Sequence, residues 1–114
     1  MPTFEVFDVV KVPFPYTHRP VRQRRPAVVV AASRMAADHG LLWVVMVTSA
    51  ENRGWASDVA VSDLAVAGLP MPSLVRCAKI ATIEADHAER LGKLGVADRR
   101  MVGEQLRGLL ALSP

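Results

Sequence analysis

The sequence predicts a mainly β fold, a small curled barrel with a helix packed on it at the C-terminal end. Three patterns carry that expectation. Val10, Val12 and Phe14 alternate with Lys11 and Pro13, the two-residue period of a strand with one buried face. Residues 27–32 and 41–48 are short, near-continuous apolar runs rich in valine, as central strands buried on both faces are. Beyond Asp98, the residues Val102, Leu106, Leu109 and Leu110 fall on one side of a helix.

The elements follow in order. Pro13 and Pro15 end the first strand near a basic loop at 17–23, because proline cannot donate to a strand ladder. Ser33 and Arg34 close the second strand, and a polar Asp38-His39-Gly40 turn leads into the third. Residues 50–57 form an irregular stretch carrying Asn52, Arg53, Gly54 and Trp55. Short strands are expected at 59–61 and 74–79, the latter with Arg76 and Ala78 on the face opposite Val75 and Cys77. Residues 85–91 suit two helical turns stopped by Gly92, and Asp98 suits the cap of the longer terminal helix.

A chain of 114 residues has room for one domain, here 1–114, and one modest core. Its residues are 51% hydrophobic, which leaves apolar surface for a partner to cover and leads us to expect a homodimer. The net charge is +3, unevenly spread. No acidic residue lies between Val9 and Ala37, while Lys11, Arg19, Arg22, Arg24, Arg25 and Arg34 are all basic, so the rest of the chain is net acidic. Such a concentrated basic patch suits a polyanionic partner. The lone Cys77 excludes an internal disulfide and fits a reducing compartment, so a cytoplasmic location is expected. No run reaches the roughly 18 apolar residues needed to span a bilayer, and the acidic N-terminus is not a signal peptide.

Arg24-Arg25-Pro26 opens the second strand, and Thr48-Ser49 ends the third. An arginine at the mouth of an apolar strand is a fixed cation able to grip a phosphate bidentately, and a strand-end hydroxyl can sit beside it. Together they suit phosphate binding or phosphodiester chemistry. The order of Phe7-Asp8-Val9-Val10-Lys11-Val12-Pro13-Phe14-Pro15-Tyr16-Thr17, Arg25-Pro26-Ala27-Val28-Val29-Val30, Val47-Thr48-Ser49, Pro72-Ser73-Leu74-Val75-Arg76-Cys77 and Thr82-Ile83 resembles the MazF/PemK family of bacterial toxins. The resemblance implies an SH3-like, or CcdB-like, barrel and a metal-independent, sequence-selective ribonuclease of a type II toxin-antitoxin pair. It also implies a homodimer that binds single-stranded RNA and is neutralised by a cognate antitoxin.

By that resemblance Arg25 and Thr48 match the family's catalytic arginine and hydroxyl residue. Arg76 matches the arginine of a Val-Arg-Cys-Asp pattern, which implies a catalytic role as acid or phosphate stabiliser, but Ala78 stands where that pattern has an aspartate, a proposed general base. His18 is the natural substitute base, because its ordinary pKa lies near neutrality and nearby cations favour its neutral form. Lys11, Arg19, Arg22, Arg24, Ser49 and Arg53 are candidates for RNA contact, and Trp55 either for stacking on an unpaired base or for covering the dimer or antitoxin surface. Trp43 is expected in the core, and His39 and His87 in structural or surface settings.

Other chemistry finds little support. One cysteine and no His or carboxylate cluster at ligand spacing argue against zinc, and neither a phosphate-cradling Gly-rich loop nor a Gly-x-Ser-x-Gly elbow occurs. No cofactor is expected. The competing expectation, kept open by Ala78, is a non-cleaving toxin or binding protein on the same fold. Such a protein would bind RNA without cutting it, or inhibit gyrase; the C-terminal segment's lack of tryptophan disfavours gyrase.

Overall fold

The computed structural model describes residues 3–13 and 23–111. Its six strands are β1 (Asp8–Pro13), β2 (Arg24–Ala31), β3 (Leu41–Ser49), β4 (Asp58–Ala60), β5 (Ser73–Glu84) and β6 (Glu89–Lys93). The helices are α1 (Ser33–His39), α2 (Leu64–Ala67) and α3 (Val96–Leu110). All the strands form one antiparallel sheet in the order β4-β5-β3-β2-β1-β6. The mainly β architecture with a terminal helix is therefore present, and the sheet curls without closing, leaving β4 and β6 as its edges.

β2 and β3 are buried on both faces, as their valine runs predict. Val28, Val45, Val47, Val75 and Cys77 point into one core, closed by Leu69 and by Val102 of α3. Alternating with them, Ala27, Val29, Leu42, Val44 and Met46 point into a second core with Phe4, Val10 and Val12. The two-residue side-chain period thus divides the apolar residues between two faces of one sheet. Among the described residues no helix is long and apolar enough to cross a membrane.

Several local expectations are corrected. Residues 33–39 form α1 instead of a strand end and turn, with Gly40 as its left-handed C-cap at φ 67°. α1 has no fully buried residue, so no apolar stripe announces it. The strand expected at 74–79 runs on to Glu84, because β3 pairs with it along its whole length. Residues 85–91 make only a 3-10 turn (Ala85–His87) before entering β6, which pairs with β1.

Gly92 is a close-approach residue of β6 and not a helix stop. A Cβ there would lie 2.3 Å from the Val66 carbonyl oxygen, so only glycine lets α2 pack this closely on β6. Asp98 does not cap α3, whose N-cap is Gly95. It is 2% exposed and instead ties the helix to Ser62, accepting from the Ser62 amide at 2.9 Å and hydroxyl at 2.8 Å. On α3, Val102 is buried, while Leu109 and Leu110 at its far end are exposed. Trp43 is not core but 41% exposed. It shares the parity of Val45 and Val47 but lies toward the end of β3 that the first core does not cover.

Candidate phosphate and base interface

Strand register brings the leading candidates together. β2 and β3 pair through Ala27 and Met46, so two residues further along each strand Arg25 and Thr48 come level on the same face. That parity continues across β5 and β4, where Met46 opposes Arg76 and Arg76 opposes Asp58. Arg25, Thr48, Arg76 and Asp58 therefore belong to one sheet face, near the strand ends.

A cleft of about 510 Å³ opens at those ends, lined by Lys11, Arg25, Pro26, Thr48, Ser49 and Ser73 together with the 68–71 connection. Arg25 is half-buried, and its Nη2 donates to Gln23 Oε1 at 3.0 Å. Thr48 is 7% exposed, and its Oγ1 accepts from Asn52 Nδ2 at 2.9 Å, which leaves its own hydroxyl proton able to donate. Ser49 caps the 3-10 turn Ala50–Asn52 by accepting from the Glu51 amide at 3.3 Å.

Arg76 is not a solvated surface arginine. It is 8% exposed and makes a fork-to-fork pair with Asp58: Nε donates to Oδ1 at 3.1 Å and Nη2 to Oδ2 at 3.0 Å. Nη2 also donates to the Asn52 carbonyl, and the guanidinium carbon lies 4.3 Å from the Trp55 ring centroid. Asn52 thus joins the two groups, its amide on Thr48 and its carbonyl on Arg76. Among the described residues every buried side-chain nitrogen and oxygen is hydrogen-bonded.

Not every candidate joins this assembly. Arg24, one residue before Arg25, points to the opposite face of β2: its Nη2 donates to the carbonyls of Lys11 at 3.3 Å and His87 at 3.5 Å and pairs with Glu89 at 3.5 Å. There it lines a separate cleft with Pro13, Asp86, His87, Ala88 and Glu89. Arg53 and Trp55 are exposed beside Asn52, and Ala78 is exposed on β5. His18, Arg19 and Arg22 lie outside the described residues. No group of three His, Cys, Asp or Glu side chains able to hold a metal occurs among the described residues.

Asp58 and Asn52 escaped the sequence reading. The family pattern has its carboxylate at position 78, along the strand, where this chain has Ala78; the carboxylate beside Arg76 arrives instead from β4, across the sheet. The available signal was the short Asp58-Val59-Ala60 segment facing Leu74-Val75-Arg76, which sets opposite charges directly across from each other. Burial pushes the Cys77 thiol up to about 11, and the nearby Asp58 charge adds to this, so the thiol is neutral and unreactive.

The fold recurs in solved structures. MazF from Deinococcus radiodurans superimposes with a TM-score of 0.78 at 21% identity, over 98% of this chain and 100% of that one. Mycobacterium tuberculosis toxin MazF-mt6 matches with a TM-score of 0.71 at 21% identity, over 94% and 99%. An endoribonuclease in complex with its cognate antitoxin, from a mycobacterial species, matches with a TM-score of 0.72 at 18% identity, over 100% and 99%. No curated protein matches in sequence. The profile of the PemK-like, MazF-like toxins of type II toxin-antitoxin systems, however, matches residues 5–110, and the chain belongs to that family.

Proposed function

We propose that this toxin is a metal-independent, sequence-selective endoribonuclease acting on single-stranded RNA. The observation that carries this is the level placement of Arg25 and Thr48 at one cleft, a fixed cation and a hydroxyl donor able to reach the same phosphate. The ribose 2′-oxygen attacks the adjacent phosphorus as the bond from phosphorus to the 5′-oxygen breaks. A base takes the 2′-hydroxyl proton, and an acid supplies one to the leaving 5′-oxygen. The products are a 2′,3′-cyclic phosphate and a 5′-hydroxyl.

In this scheme Arg25 neutralises the charge that grows on the phosphorane oxygens, and Thr48 donates a hydrogen bond to one of them. Lys11 and Ser49, at the same cleft, hold the neighbouring backbone. Arg76 has its charge matched by Asp58, so we assign it to positioning. His18, which lies outside the described residues, is the candidate base because an imidazole exchanges its proton near neutral pH. The exposed apolar residues Trp43 and Ile80 support assembly as a homodimer. A cognate antitoxin would neutralise the toxin by covering the cleft, and the pair would act in the cytoplasm.

The test is incubation of the purified toxin with a long unstructured RNA in EDTA, followed by mapping of cuts and end groups. Cuts at a recurring short sequence with 5′-hydroxyl ends are expected, slowed about 10²- to 10³-fold by Arg25→Ala. RNA that is bound but left whole would establish the non-cleaving alternative that Ala78 keeps open.

A further inference from the structure

We infer that Trp55, held over the Arg76–Asp58 pair, is a stacking subsite for an unpaired base of single-stranded RNA, and that Asp58 is its positioning residue. The inference rests on the ribonuclease assignment and adds a contact that the cleft alone does not supply.

One carboxylate organises the whole unit. Asp58 Oδ1 and Oδ2 take Arg76 by its fork, while Oδ2 also accepts from the Trp55 amide at 3.2 Å. The Asp58 amide in turn donates to the Trp55 carbonyl at 3.1 Å, which closes the 55–58 turn. Gly54, at φ 139°, takes a backbone conformation closed to most side chains and brings the chain round into this turn.

A buried guanidinium therefore lies under one side of the indole, yet Trp55 itself is 49% exposed. A tryptophan serving only as packing would bury its large apolar area. Here the ring is braced from beneath and open to solvent, the form of a platform on which a base can stack.

The surroundings favour a nucleic acid base as the occupant. Asn52 contacts both Thr48 and Arg76, so the platform stands three successive contacts from the hydroxyl at the cleft. Arg53, two residues before Trp55 and also exposed, adds positive charge to the same segment. A strand whose phosphate lies between Arg25 and Thr48 can then lay a neighbouring base on Trp55. Stacking reads the face of a base and not its edge, so the subsite contributes affinity and register more than sequence choice.

The test uses the Trp43→Phe toxin, in which Trp55 is the sole tryptophan. Its emission is titrated with a 2′-deoxy single strand of the cleaved sequence and with an abasic strand of equal length. Quenching by the first but not the second is expected. Trp55→Ala should weaken binding about 5- to 150-fold, with Trp55→Phe restoring most of it. Asp58→Asn, if folded, should raise KM for RNA while leaving kcat largely unchanged. Cleavage and affinity unaltered in Trp55→Ala would overturn the subsite and leave the ribonuclease assignment standing. Absence of both RNA binding and cleavage in the parent toxin would overturn the two together. Loss of antitoxin neutralisation alone in Trp55→Ala would assign the tryptophan to a protein contact and also overturn the subsite.

Discussion

Two assemblies of carboxylate, arginine and aromatic ring sit at opposite edges of the sheet, built from like parts with exposure reversed. At the β6 edge, Asp8 is 3% exposed and pairs with Arg90 at 2.8 Å, and Arg90 lies 5.3 Å from the Phe4 ring centroid. Phe4 is core, 5% exposed, while the Arg90 side chain is 48% exposed. At the β4 edge the arginine is buried and the ring faces out: the Arg76 side chain is 10% exposed and Trp55 is 49% exposed. The first unit pins the 3–8 segment to the sheet, Arg90 also donating to the Thr3 carbonyl. The second spends a buried charge pair to hold an aromatic surface open, an arrangement that packing alone does not require.

The sharpest way to break this comparison is to delete the rings. Phe4→Ala should destabilise by about 3–5 kcal/mol, as emptying a core site does, and leave RNA affinity per folded molecule unchanged. Trp55→Ala should cost under about 1 kcal/mol of stability, yet lower RNA affinity. Denaturant melts and RNA titrations on both variants check the pair. Equal stability losses would show that both rings are structural.

Deleting the carboxylates comes next. Asp58→Ala leaves Arg76 buried without its partner and should destabilise by about 3–5 kcal/mol. Asp8→Ala should cost less, about 1–3 kcal/mol, because the half-exposed Arg90 can rehydrate while only the Glu5 amide loses its partner. Urea midpoints at constant m measure the difference, and a reversed order would contradict the burial assignments.

The smallest effect is carried by Cys77. The unfolded thiol ionises near its ordinary value of 9.0, while the folded one is held neutral to about 11. The folded state thus binds the proton more tightly: the associated stability is complete below pH 9 and is lost as pH rises to 11. Cys77→Ala should remove that slope. Asp58→Asn should lower the thiol pKa, whereas Asp8→Asn should leave it in place; thiolate ultraviolet absorbance against pH checks both.

Much of this was legible because it is local. The valine runs at 27–32 and 41–48 gave the two central strands, and Arg25 and Thr48 stand at their ends. The rest depends on contacts distant in sequence. β6 reads as helix until β1 pairs with it, and Gly92 is explained only by α2 passing above. Trp43 looks like core until the extent of the first core is known. Asp58 lies 18 residues before Arg76, so no window along the chain shows their union. A pattern that predicts a carboxylate at 78 misses one delivered across the ladder, since hydrogen bonding answers to distance in space.

The central claim is that Arg25 and Thr48 serve an internal 2′-hydroxyl as nucleophile. The most direct measurement uses an RNA oligonucleotide carrying the mapped cut site, compared with its twin lacking one 2′-hydroxyl, on the ribose 5′ to the scissile phosphate. The account predicts that the twin binds comparably and is not cut there. Cleavage of the twin at the same phosphate would contradict it, because the attacking oxygen would then have come from elsewhere.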